Sequence, residues 1–172
     1  MKRFTTFILA ITLPIVTIAQ PEALDNIFDK YEGQEGYTTI IITKYMFQLF
    51  SKIADDEDDS DFKDIVSGLN SIKMLVVDED EHDPAAFYKE ASNALPKSIY
   101  KELMIIKDGK EKVTFLINEK NDKISELVMI IGGDDEALLM RLDGDIDLHK
   151  IAKLSKAMDI KGLEKLDTIK ER

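Results

Sequence analysis

The densest chemistry-bearing cluster in the chain is Asp55-Asp56-Glu57-Asp58-Asp59, with Asp61 following. Several hard oxygens on one loop suit calcium, but such a loop takes its sharp turn from a glycine, and this run has none. It reads as a solvated acidic loop. Asp143-Gly144-Asp145-Ile146-Asp147 comes closer to a calcium loop, with carboxylates at alternate positions. Its sixth position is Leu148 rather than glycine and its twelfth is Leu154 rather than glutamate, so the signature fails. An aspartate at a strand-to-helix junction serves instead as a cap, accepting hydrogen bonds from free backbone N–H groups. His82 and His149 are the two histidines. Together with Asp83 or Asp147 they could bind a metal, yet they fall on separate elements and do not predict a site.

Nucleophilic chemistry has little to work with. The chain has no cysteine, which excludes thiol nucleophiles, cysteine zinc sites, iron–sulfur clusters and a lipid attached through cysteine. No Gly-x-Ser-x-Gly elbow is present, and serines such as Ser67 and Ser125 fall in ordinary helix or strand patterns. Gly132-Gly133 precedes a strand rather than a helix, so it is a turn and not a phosphate cradle. Acid pairs are abundant, but glycoside hydrolysis needs two carboxyls placed around a cleft. Lys150, Lys153, Lys156, Lys161 and Lys165 make a basic face on an acidic chain, which reads as a solvated helix face suited to the helix dipole. No catalytic, cofactor-binding or metal-ligating residue is therefore assigned, and no cofactor is expected.

The elements that would carry any site come from periodicity. Leu24, Ile27, Phe28 and Tyr31 recur at helical spacing over Glu22 to Tyr31. Tyr37 to Thr43 is rich in β-branched residues and predicts a strand; Met46, Leu49, Phe50 and Ile53 then make a helical stripe. Phe62, Ile65, Val66 and Leu69 form another helical face, capped by Asp59 or Ser60, and a short strand follows over Ile72 to Val77. Asp83-Pro84 starts a helix through Phe87, Ala91 and Leu95, which Pro96 stops. Four strands come next, over Ile99 to Lys107, Glu111 to Asn118, Ile124 to Ile131 and Glu136 to Asp143, forming an antiparallel meander. Asp108-Gly109 predicts a type I′ hairpin turn. The unbroken run Leu127 to Ile131 predicts a strand covered on both faces. A helix over Ile146 to Met158 and a short one around Leu163, Leu166 and Ile169 end the chain. The pattern predicts an α+β fold: one mixed, largely antiparallel sheet of about six strands with helices packed on it.

Met1-Lys2-Arg3, the uncharged apolar stretch Phe4 to Ala19 and the small residues Thr17 and Ala19 have the order of a secretory signal peptide. Residues 1–19 are expected to be removed, leaving a single domain over residues 20–172 that is periplasmic or secreted. The uncharged stretch is shorter than the roughly 20 residues that span a bilayer and contains Pro14, so no membrane span is expected after cleavage. The chain carries 23 basic and 34 acidic residues; loss of Lys2 and Arg3 takes its formal charge from −11 to −13. That charge argues against nucleic acid and anionic membranes as partners.

Two segments carry a family resemblance: Tyr31-Glu-Gly-Gln-Glu-Gly-Tyr-Thr-Thr-Ile-Ile-Ile-Thr-Lys-Tyr-Met-Phe47, and Ile124 through the glycine-rich turn and the Gly-Asp-Ile-Asp-Leu step to Leu148. The chain resembles the domain of unknown function 4252 family, uncharacterised exported proteins of Bacteroidota. The resemblance implies no activity and no catalytic residues. It implies an envelope-response role, because family genes sit near regulators of extracytoplasmic sigma factors. Some members resemble lipoproteins, from which this cysteine-free chain departs. The expected function is thus a soluble binding or interaction module of the envelope, linked to envelope stress or sigma-factor regulation, with an envelope protein or peptide as partner. Its oligomeric state is open. The alternative is a carboxylate-based periplasmic hydrolase. A polar cleft with two converging carboxylates would favour the hydrolase, and an apolar patch or open sheet edge would favour the interaction module.

Overall fold

The computed structural model describes residues 23–53, 60–78 and 82–151. Its elements, in chain order, are α1 (Ala23–Tyr31), β1 (Tyr37–Thr43), α2 (Lys44–Ile53), α3 (Ser60–Ser67), β2 (Leu69–Asp78), α4 (Pro84–Ala94), β3 (Tyr100–Asp108), β4 (Glu111–Lys120), β5 (Lys123–Gly132) and β6 (Glu136–Ile146). The strands form one sheet in the order β1-β2-β6-β5-β4-β3, and every pairing is antiparallel. The α+β expectation holds, with the sheet wholly antiparallel rather than mixed. β3 to β6 form the meander, and the outer side of β6 takes β2 and then β1.

Strand parity explains the two cores. Ile72, Val113, Phe115, Leu127, Met129, Met140 and Leu142 share one face, where Phe47 of α2, Val66 of α3 and Ile151 pack. Leu75, Val77, Val128, Ile130 and Leu139 point the other way, against Leu24, Ile27 and Phe28 of α1 and Phe87 and Ala91 of α4. β5 is central and buried from both sides, as its unbroken apolar run predicts: Leu127, Val128, Met129 and Ile130 have no exposed surface. Each such side chain contributes about 1.5–3 kcal/mol of burial.

Local signals account for most boundaries. Asp83 caps α4, accepting from the Ala86 amide at 3.0 Å, with Pro84 in the first turn. Asn121 and Asp122 both have positive φ (54° and 60°), the pattern of a type I′ turn between β4 and β5. At the β3–β4 hairpin the expected turn is displaced by one residue. Asp108 pairs with Glu111, so the loop is Gly109-Lys110, with positive φ at Gly109 alone; that is the type II′ pattern. The stripe of α2 also needs correcting, because the side chain buried in the core is Phe47, while Met46 and Phe50 stay 43% and 40% exposed. The helix expected from Ile146 begins later. Ile146 ends β6, and Asp147 caps the turn, its Oδ1 accepting from the His149 amide at 2.9 Å and the Lys150 amide at 3.4 Å. Residues 152–158 and the short helix around Leu163, Leu166 and Ile169 lie outside the described residues. Gly144 has φ 150°, and a Cβ there would collide with the Gly68 carbonyl oxygen and Leu69, so the α3–β2 junction crosses β6 where only glycine fits.

Candidate functional site

The two edges of the sheet differ in kind. β1 has β-branched residues at six of its seven positions and carries no charge, proline or glycine. It pairs with β2 along its whole length, from Tyr37↔Val77 to Thr43↔Ser71. Among the described residues no strand occupies its outer side, which leaves a row of main-chain donors and acceptors facing outward. Ile40 and Ile41 point to opposite faces and are 40% and 45% exposed. α2 rises directly from the end of the strand and adds Tyr45, 68% exposed, with Met46 and Phe50.

The strand is held firmly at both ends. Tyr37 stacks on Tyr31 at 4.4 Å between ring centroids and lies against the His82 ring, also at 4.4 Å. His82 Nε2 reaches the Glu35 carbonyl oxygen at 2.8 Å. The Tyr31 hydroxyl donates to Glu90 Oε2 and Lys30 Nζ donates to Oε1, both at 2.7 Å. These hydrogen bonds, Lys30 first and Tyr31 second, hold the Glu90 carboxyl below its ordinary range. Burial, and then the neighbouring Tyr31, push the Tyr37 hydroxyl up. At the other end Lys44 Nζ donates to Asn70 Oδ1 at 3.1 Å. β1 is thus a pre-formed ledge.

β3, at the opposite edge, carries Lys101, Glu102, Lys107 and Asp108, with a bulge between Glu102 and Met104. Charges and bulges are the devices that keep sheet edges from pairing. The protein applies them to β3 and omits them from β1.

A second constellation lies inside the sheet. Arg141 of β6 is 9% exposed and Glu126 of β5 is 3% exposed, and both share the face of the second core. Arg141 contacts Asp25 of α1 at 2.8 Å and Asp143 at 2.9 Å, and its Nε is 4.0 Å from Glu126. Tyr100 donates to Glu126 Oε2 at 2.6 Å and Asn118 to Oε1 at 3.3 Å; Ser71 donates to Asp143 at 3.2 Å. Burial disfavours the guanidinium charge, but the Asp143 hydrogen bonds and the fields of Asp143, Asp25 and Glu126 outweigh it and raise the Arg141 pKa. The carboxylates here converge on a fixed cation, so the cluster is a clamp between α1 and the sheet. Sequence reading missed it, although Arg141 and Glu126 are each two residues from a core position of the same strand.

The singled-out polar residues do not converge. Of the acidic cluster, Asp55 to Asp59 lie outside the described residues, as do 79–81 beside His82, and Asp61 falls in α3 rather than in a loop. His82 docks on Tyr37, while His149 follows the Asp147 cap. Asp145 pairs with Lys123 at 2.6 Å. Ser67 donates to the Asp64 carbonyl and Ser125 to the Asn118 carbonyl. Gly132 ends β5, paired with Ala137, so the expected turn starts one residue later, at Gly133; the Tyr88 ring packs so closely on Gly132 that a Cβ would overlap it. Of the basic stripe, only Lys150 is described. Among the described residues no group of three or more His, Asp or Glu could hold a metal, and no helix is long and apolar enough to cross a membrane.

A family model described as Domain of unknown function (DUF4252) matches residues 31–154, so the chain belongs to that family. The match begins at Tyr31, in the aromatic cluster, and takes in the whole sheet. No curated protein and no solved structure matches the chain.

Proposed function

We propose that this member of the family is an exported interaction module of the bacterial envelope that recruits an envelope protein or peptide by accepting a strand along β1. The observation that carries the reading is the uncharged, unprotected edge Tyr37–Thr43, next to exposed apolar side chains of α2. Strand addition draws affinity from main-chain hydrogen bonds and selectivity from alternate side chains, and β1 offers both. The leader read over residues 1–19 supports action in the periplasm or outside the cell, and the resemblance supports a link to envelope stress or sigma-factor regulation. The hydrolase alternative loses ground because, among the described residues, Asp25, Glu126 and Asp143 converge on the buried Arg141 rather than on a cleft.

A photo-crosslinking residue at position 41, and in a separate chain at position 105, tests this in the exported protein. Ile41 and Ile105 are similarly exposed, 45% and 38%, on opposite edges. Discrete adducts are expected from position 41 and none from position 105. Equal labelling, or none from position 41, sinks the reading.

A further inference from the structure

Resting on that reading of β1, we infer that the strand added there is β1 of a second copy, related by a two-fold axis through Ile40. Antiparallel self-pairing keeps each face continuous only if paired positions have the same parity. Centring on Ile40 satisfies this: Ile40 meets Ile40, Thr39 meets Ile41, Thr38 meets Ile42 and Tyr37 meets Thr43. Every pair brings together β-branched or aromatic residues, the combinations that stabilise sheets. The two sheets would join into one of twelve strands through an isologous interface.

Charge distinguishes a second copy from an arbitrary strand. The N-terminal end of β1 follows Glu32 and Glu35, both exposed, while its C-terminal end runs into exposed Lys44. Antiparallel self-pairing puts the basic end of each copy, where Lys44 opens α2, near the acidic end of the other, which Glu32 and Glu35 precede. A parallel arrangement would set like against like. Complementarity of this kind fixes register and orientation. The net charge of each copy opposes association, but screening over about 8 Å at physiological salt confines that repulsion. Tyr45 gains a neighbour in the same step, which accounts for so exposed an aromatic beside the edge.

The test uses the full chain, purified after export, and reads mass by light scattering and sedimentation. The parent is expected to dimerise at micromolar concentration. Ile40→Lys and Ile40→Glu each place like charges face to face on the two-fold axis, and each is expected to weaken self-association at least about tenfold. Position 40 is 40% exposed, so both variants should keep the parent's secondary structure and cooperative unfolding, losing only the stability that dimerisation adds. Mixed in equal amounts they should dimerise again, since lysine then faces glutamate. A parent that stays monomeric at concentrations on the order of 100 µM, or a dimer indifferent to both substitutions, overturns the second copy. A monomeric parent whose position 41 still cross-links to another protein leaves strand addition standing; a monomeric parent without adducts overturns both.

Discussion

β1 and β3 end the same sheet, yet one is bare and the other armoured. β3 displays four charges and a bulge, and its Lys101 is paired with Glu119 of β4. β1 displays threonine and isoleucine. A protein that protects one edge so fully and the other not at all treats the bare edge as a surface with a use. Ile105 of β3 lies in a short run, Leu103 to Ile106, closed off by charges on both sides, whereas Ile40 and Ile41 continue into the exposed apolar side chains of α2.

The largest expected effect tests whether the two edges belong to one cooperative unit. Val128 sits on β5, with β6, β2 and β1 to one side and β4 and β3 to the other. Val128→Asp places an unpaired charge where there is no exposed surface, and should cost several kcal/mol of a typical stability of about 5–15 kcal/mol. Cooperative melting should be lost, and amide exchange should rise at both edges together. Retained protection at β1 alone would split the sheet into independent halves.

Arg141→Met comes next. It leaves Asp143, Asp25 and Glu126 without the cation they share, and losing one partner of a buried ionic cluster costs about 3–5 kcal/mol. Because Asp25 belongs to α1, which packs over Leu75 and Val77 of β2, exchange should rise at β1 and β2 before β3. Earlier loosening of β3 would show that the clamp does not support the bare edge.

A smaller effect on folding sharpens the comparison directly. Ile41→Lys gives β1 the kind of charge β3 already has, and Ile105→Lys adds one more to β3. Both positions are exposed, so each change should move stability by less than about 0.5 kcal/mol. Only Ile41→Lys should reduce cross-linking from position 40. Equal effects would make the edges equivalent.

The smallest effect is on pH dependence. Glu90 is held below its ordinary pKa of about 4.5, so its pairing with Lys30 and Tyr31 contributes stability above that pH. The contribution fades as pH falls through the lowered value. Because the Glu90 side chain is 40% exposed, solvent screening limits it to about 0.5 kcal/mol. Glu90→Gln should flatten the acid limb of the melting curve slightly and leave the β3 edge untouched.

Much of this architecture was legible in the sequence. The Asp83-Pro84 start of α4, the strand limits Tyr37 and Thr43, and the double burial of β5 follow from capping chemistry and periodicity. The displaced hairpin turn shows the limit of dipeptide rules: an Asp-Gly pair can straddle the end of a strand, and the pairing register decides which residues turn. Strand order was not legible, because periodicity reports which face is buried and not which strand is next. Ile40-Ile41-Ile42 therefore looks as apolar as the β5 run, though one lies at the edge and the other in the middle. The Arg141 clamp left a trace in parity: Arg141 alternates with Leu139, and Glu126 with Val128, so charged residues stood in core register.

Strand order also sets a timetable. β3 to β6 are joined by turns of a few residues and can pair as soon as each hairpin is complete. β2 cannot: Ser71 waits for Asp143, and Asp25 of α1 waits for Arg141. Closing such distant contacts is slow, because the intervening chain must lose its freedom before any contact rewards it. A chain emerging from its N-terminus therefore presents α1, β1 and β2 well before their seat exists. The apolar edge that serves the folded molecule is then its main hazard in transit: the last strand, β6, covers β2, while the outer side of β1 stays open.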